Sequence, residues 1–282
     1  MDAGEYRGFT VEMRQPGIAL ITFNRPERMN GMVHSMKRDL IELMMQAQMD
    51  EEVRVVLFTG SGRAFSAGDD ISGKEPGFND AEARLPDLPR GGRSPIRTYG
   101  ALRTFSQSVN LAVRHLDKLS IAAINGFAIQ TGLSLALACD FRIASTEARL
   151  GSATLRFAYL PDEGGHALLV QIIGVAKTMD FLMRSRIVSA EEALELGLVH
   201  EVVPHDELME RAMSLATELA NGPQVAMRLM KRSIYNAAEL TLAQAMDDIA
   251  SKTAVSDFHP DAEAGRASFR ERSKPEFNTE QL

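Results

Sequence analysis

Short apolar runs that end abruptly at turn residues alternate along this chain with longer stretches whose apolar positions recur at helical spacing. Gly17-Ile18-Ala19-Leu20-Ile21-Thr22-Phe23 stops at Asn24-Arg25-Pro26, Val53-Arg54-Val55-Val56-Leu57-Phe58 at Thr59-Gly60, and Ser120-Ile121-Ala122-Ala123-Ile124 at Asn125-Gly126. Their brevity, β-branched content and flanking turns predict buried strands, and Pro26 disfavours further pairing after the first. From Met32 to Met49, the spacing of Met36, Leu40, Leu43 and Met44 predicts a helix. Leu133 to Cys139, rich in Leu and Ala and free of breakers, predicts a helix that starts at the preceding turn. Phe141-Arg142-Ile143-Ala144 reads as one more strand, and helical patterns cover residues 168–173, 190–195, 206–220 and 223–236. The repeated strand–helix–strand order predicts a stacked α/β core. Ser72 to Arg97, rich in Gly, Pro, Arg and acids without periodicity, predicts a surface loop or lid, and no short internal repeat is evident.

Two glycine-marked turns follow two of the predicted strands: Thr59-Gly60-Ser61-Gly62-Arg63-Ala64-Phe65-Ser66-Ala67-Gly68-Asp69-Asp70 and Asn125-Gly126-Phe127-Ala128-Ile129-Gln130-Thr131-Gly132. A pair of such turns can aim two backbone N–H groups at one carbonyl oxygen, which stabilises an enolate. A helix starting at the second turn adds its unpaired N–H groups and positive dipole end. Taken singly, each turn is equally well explained by tight-turn chemistry. The first lacks the third glycine of a dinucleotide fingerprint, and Gly132-Leu133-Ser134-Leu135-Ala136 lacks the second glycine of a nucleophile elbow.

With 282 residues, 45% of them hydrophobic, the chain can bury a large core, and one main domain with an appendage is expected. A formal net charge of −7 gives no footprint for nucleic acid. The single cysteine, Cys139, excludes an internal disulfide framework and reads as inert core. Six histidines without metal-ligand spacing predict no metal site. The first residues carry no basic and apolar leader, and the most apolar long segment, Ile121 to Cys139, includes Asn125, Gln130, Thr131 and Ser134; a soluble cytoplasmic protein, not a membrane one, is expected.

The two turns, in their order and spacing, resemble those of the crotonase (enoyl-CoA hydratase/isomerase) superfamily. The resemblance covers nearly the whole chain: Phe23-Asn24-Arg25-Pro26-Glu27-Arg28-Met29-Asn30, Cys139-Asp140-Phe141-Arg142-Ile143-Ala144, Leu160-Pro161-Asp162-Glu163-Gly164-Gly165, Ala193-Leu194-Glu195-Leu196-Gly197-Leu198-Val199, Asn221-Gly222-Pro223, Asp261-Ala262-Glu263-Ala264-Gly265 and Phe269-Arg270-Glu271-Arg272. It implies an α/β fold, a superhelix of ββα units over residues 1–200, followed by a C-terminal helical trimerisation region over 201–282. It further implies a homotrimer or dimer of trimers, and an acyl-CoA thioester as substrate with no separate cofactor. Carried across by position, the backbone N–H groups of Asp69, after Gly68, and of Thr131, before Gly132, would form the oxyanion hole. Arg28, Met29, Ala64, Ala67, Asp70 and Ile71 would line the CoA and acyl site with Ser134, Thr154 and Phe157, and Arg272 would meet a CoA phosphate.

The sequence departs from the family where hydratases carry two glutamates: Ser134 and Thr154 stand there. Neither hydroxyl activates water or delivers a proton well at neutral pH. A carboxylate for an allylic isomerisation is expected from Asp162, eight residues after Thr154, where the resemblance implies the aspartate of dienoyl-CoA isomerases, or from Glu163. Phe157 and Leu160 are expected to raise the pKa of Asp162; alternatively both acids cap or complement the next helix. The sequence leaves open hydration by non-standard acids, thioester hydrolysis through Ser134 or water, and non-catalytic acyl-CoA binding.

Overall fold

In the computed structural model, which describes residues 1–70 and 94–279, the apolar runs become the inner strands of a sheet buried on both faces. Strands β1 (Gly4–Tyr6), β2 (Phe9–Arg14) and β3 (Ile18–Phe23) form an antiparallel meander. Helix α1 (His34–Met49) then crosses to β4 (Val55–Gly60), which pairs parallel to β3. After the short β5 (Ala64–Ser66), the described chain resumes in α2 (Pro95–Ala101), capped by the Ser94 hydroxyl. It continues through a π-helical stretch, Leu102–Gln107, into α3 (Ser108–Arg114).

Two further strand–strand–helix units follow: β6 (Leu119–Ile124), β7 (Phe127–Ile129) and α4 (Thr131–Ala138), then β8 (Phe141–Ser145), β9 (Arg149–Gly151) and α5 (Gly165–Met183). Each unit adds one strand to the large sheet and one to a small sheet. With β10 (Ile187–Ser189), α6 (Ala190–Leu196) and β11 (Glu201–Val203), the large sheet reads β1-β2-β3-β4-β6-β8-β11 and the small one β10-β9-β7-β5. This is the ββα spiral that the resemblance implies.

Alternation assigns the strand residues to two cores. Ala19, Ile21 and Phe23 of β3, with Val56, Phe58, Ala122 and Ile124, meet α1 and α4 on one face. Ile18 and Leu20, with Val55, Leu57, Ile121 and Ala123, meet α7 (Leu208–Ala220) on the other, where Leu208, Ala212, Ala216 and Ala220 form a narrow stripe. Burial on both faces explains why these strands are continuously apolar rather than alternating.

Beyond α7 come α8 (Gln224–Ala237), α9 (Leu242–Ser256) and α10 (Pro260–Glu271). Helix α8 is tied to the core by the buried Lys231, whose ammonium meets the Asp140 carboxylate at 2.8 Å, and by the Tyr235 hydroxyl donating to the same carboxylate. By length and composition α5 is apolar enough to cross a membrane, but Gly174 (φ 78°, ψ 166°) interrupts its helical path.

Candidate active site

The two glycine turns meet because β5 and β7, the strands inside them, pair in parallel, Ala64 with Phe127 and Ser66 with Ala128. The approach leaves no room for side chains. A Cβ on Gly132 would lie 2.2 Å from the Ser66 carbonyl oxygen, and Gly68 (φ +100°) already sits in backbone space that side chains rarely adopt.

The stretch from Arg25 to Met32 clamps the first turn. Buried Asn30 donates from Nδ2 to the carbonyls of Ser61 (3.0 Å) and Ala64 (2.7 Å), and its Oδ1 accepts from the Arg25 N–H. Met32 N–H donates to the Gly68 carbonyl and Asp70 N–H to that of Met32. The Arg25 guanidinium meets Asp70 at 2.8 Å. Ala67 N–H donates to the Met29 carbonyl, so Met29 lies against the turn beside exposed Arg28. Buried Ala64 and half-buried Ala67 thus have their backbones fixed.

The N–H groups of Asp69 and Thr131 donate to no acceptor among the described residues. Thr131 opens α4, where first-turn N–H groups have no intrahelical partner. The side chains of these two residues touch: the Thr131 hydroxyl donates to Asp69 Oδ1 at 2.7 Å, and the same oxygen meets the ammonium of Lys37 at 2.7 Å. Lys37 projects from α1, is fully buried, and also donates to the Ser106 hydroxyl on the π-helical stretch. The carboxylate charge that Asp69 carries beside its own N–H is therefore countered locally by Lys37.

Facing this pair is the loop before α5. Glu163 is only 2% exposed, and Gln130 Nε2 donates to both its carboxylate oxygens at 3.0 Å, with the Ser134 hydroxyl at 3.3 Å from Oε1. Burial pushes the Glu163 carboxyl up to about 7. The Gln130 bond opposes that rise, and the charges of Asp162 and Asp69 add to it. Asp162 remains exposed as a residue, yet lost hydration around its carboxyl, together with the Asp69 charge, raises its pKa; the Glu163 contact and Lys37 act against the rise. Phe157 and Leu160, expected to dehydrate Asp162, are 66% and 69% exposed and do not enclose it. Neither acid caps α5, whose N-cap is Gly164 in the left-handed region. Asp162 and Glu163 are held instead through their carbonyls, by Gln107 Nε2 and Asn110 Nδ2 at 3.0 Å.

Thr154 joins the edge of this network through Ser152, 3.5 Å away, whose hydroxyl donates to Gln130 Oε1 at 2.6 Å. Among the described residues Ser134 has no histidine partner, and the His166 ring faces the Pro161 carbonyl. Arg272 is exposed at the C-cap of α10, and no described contact joins it to the turns. Ile71 and most of the expected lid lie outside the described residues. Among those described, no group of three His, Cys, Asp or Glu is arranged to hold a metal ion.

The sequence model of enoyl-CoA hydratase/isomerase matches residues 13–280. The chain belongs to this family. Among its relatives, the 1,2-epoxyphenylacetyl-CoA isomerase of Escherichia coli K12 is 32% identical over 95% of this chain and 98% of its own length. A probable enoyl-CoA hydratase of Mycobacterium bovis is 36% identical over 83% of this chain and 79% of its own. The crystal structure of an enoyl-CoA hydratase from Bacillus anthracis superimposes with a TM-score of 0.87 at 30% identity, covering 97% of this chain and all of that one. Membership of the hydratase/isomerase family makes the chain an enzyme of CoA-thioester chemistry.

Within that family frame, sequence reasoning missed Lys37 and Gln130. The signal for Lys37 was present: it falls on the same helical stripe as Val33, Met36, Leu40 and Met44, an apolar face where a lysine is out of place.

Proposed function

We propose that this enzyme isomerises a double bond in an acyl-CoA by way of a thioester enolate, with the N–H groups of Asp69 and Thr131 holding the thioester oxygen and Glu163 carrying the proton. The observation that carries the reading is the setting of Glu163: one buried carboxyl, held on both oxygens by Gln130, beside the two turns, with a pKa near working pH. As carboxylate it removes a proton from the carbon next to the thioester of a 3-enoyl group, giving the dienolate and the carboxylic acid. As acid, exchanging with solvent while the dienolate is bound, it delivers a proton to the distal carbon, giving the 2-enoyl isomer. Atoms balance with no second reactant. Asp162, more exposed, disfavours ionisation of Glu163 by its own charge.

The neighbouring acids also support a second reading, hydration, in which Asp162 and Glu163 replace the missing glutamates as base and acid. Hydrolysis through Ser134 has less support, since its hydroxyl is wedged 2.2 Å from where a Cβ on Gly165 would stand and is turned to Glu163.

Product analysis separates these readings. Incubation with 3-enoyl- and 2-enoyl-CoA is expected to give the isomer and no 3-hydroxyacyl-CoA, with Glu163→Gln losing most turnover and Asp162→Asn retaining more. Full turnover by Glu163→Gln removes Glu163 from the chemistry. We further assign a soluble cytoplasmic homotrimer or dimer of trimers, 1–200 carrying the site and 201–282 the association surface. An apolar hollow of about 450 Å³ beside α8, lined by Phe141, Leu219, Met227, Met230 and Ile234, supports self-association.

A further inference from the structure

The residue before Thr131 breaks a local rule. Gln130 adopts φ +51°, ψ −109°, a backbone conformation that costs a non-glycine residue of order 1–3 kcal/mol. Glycine would adopt it freely, so a reason for a side chain at this position has to lie in the side chain itself. That side chain is fully committed. Ser152 donates to Oε1 at 2.6 Å, which turns the amide so that Nε2 faces Glu163, and Nε2 bridges both carboxylate oxygens at 3.0 Å. The backbone is pinned as well, Gln130 N–H to the Gly151 carbonyl and Ser134 N–H to that of Gln130.

We infer that Gln130 is the positioning residue of Glu163, its strained backbone retained so that one amide fixes the carboxylate's orientation toward the acyl group and favours its proton-accepting form. This rests on the reading of Glu163 as proton carrier. The other groups around Glu163 cannot take over the role. Asp162 on its own loop and Asp69 on the first turn are acidic and oppose its ionisation, and the Lys37 charge is engaged by Asp69. Ser134 from α4 offers one longer bond, and Asn110 from α3 reaches only the Glu163 carbonyl.

Two substitutions test it. Gln130→Met keeps the length and the strain but loses the donor; Gln130→Gly loses the donor and relaxes the backbone. The titration of Glu163 is read directly, from the carboxyl carbon signal of protein labelled with ¹³C-glutamate and assigned by Glu163→Gln, alongside the pH–rate profile. In both variants the Glu163 titration is expected to move upward by about one pH unit, because a donor to the charged form is gone. The acid limb of the rate should follow, a loss of roughly tenfold at pH 6. The glycine variant should also melt above the methionine variant. A Glu163 titration unmoved in the variants that fold overturns the inference. A titration that moves while the pH–rate profile stays fixed leaves Gln130 as the determinant of Glu163 and overturns instead the role of Glu163 in proton transfer.

Discussion

The hydroxyl of Thr131 donates to the carboxylate of Asp69 at 2.7 Å, joining side chains whose own backbone N–H groups stand unpaired among the described residues. The contact locks the two glycine turns to each other at the point where both would face a thioester oxygen. The third member, Lys37, is buried without exposure and depends on Asp69 for its charge partner.

Removing that partner should therefore be costly. Asp69→Asn leaves a buried ammonium facing a neutral amide and is expected to destabilise the fold by about 3 kcal/mol. Lys37→Met, which leaves a half-exposed carboxylate and removes the buried charge, should cost less, and the double variant should recover part of the loss of Asp69→Asn. Urea denaturation of the three variants checks the order; equal losses for both single variants would contradict it.

Gly132→Ala tests the closeness of the turns. The added methyl would stand 2.2 Å from the Ser66 carbonyl oxygen, against backbone that cannot swing away. A loss of about 3 kcal/mol or more in stability is expected, with activity falling further than stability accounts for because the N–H of Thr131 is displaced. Thermal melting and kcat measured on the folded fraction give the two numbers.

Glu163 makes stability depend on pH with a definite sign. Burial raises its folded pKa to about 7, above the ordinary carboxylate value of 4.5, so between these values the folded state holds a proton that the unfolded state has released. Stability from this group is full below about pH 4.5 and is lost as pH rises toward 7, by about 3 kcal/mol at most. Glu163→Gln should flatten that slope and be the more stable protein above pH 7, although it is the less active one. Melting temperatures across pH 5 to 8 check this, and parallel curves for the two proteins would contradict it.

Cys139 should not react in the native state. It is fully buried at the end of α4, its thiol pushed up to about 12 by burial and by the Asp140 charge. Thiol reagents should label it only on unfolding, so labelling within minutes in native buffer would contradict the described packing.

The fold was legible because strand runs such as Leu119–Ile124 and the stripe of α1 are set by local periodicity, whereas the ββα order came only from the family resemblance that the two glycine turns helped to carry. The meander's outer strands, β5, β7, β9 and β10, are three to six residues long and defined by pairing across the chain, which periodicity does not register. In the site, the turns were legible from Gly68 and Gly132, whose necessity is steric. Which of the two acids is enclosed was not: Asp162 and Glu163 are adjacent, and only the path of the loop decides that Glu163 is buried and Asp162 exposed. Gln130 and the amide nitrogen of Asn30 were invisible as functional groups because their side-chain partners lie 22 to 34 residues away in sequence.

The central claim is that Glu163 moves a proton on an acyl group whose thioester oxygen rests on Asp69 and Thr131. Solvent exchange tests it most directly. A 3-enoyl-CoA incubated with the enzyme in heavy water, and followed by mass spectrometry, should take up deuterium at the distal carbon and beside the thioester carbonyl, because the carboxylic acid formed on Glu163 exchanges with solvent before it gives its proton back. Glu163→Gln should slow that uptake by about a thousandfold or more, within the range general acid–base groups supply. Uptake at the same rate in both proteins would contradict the account.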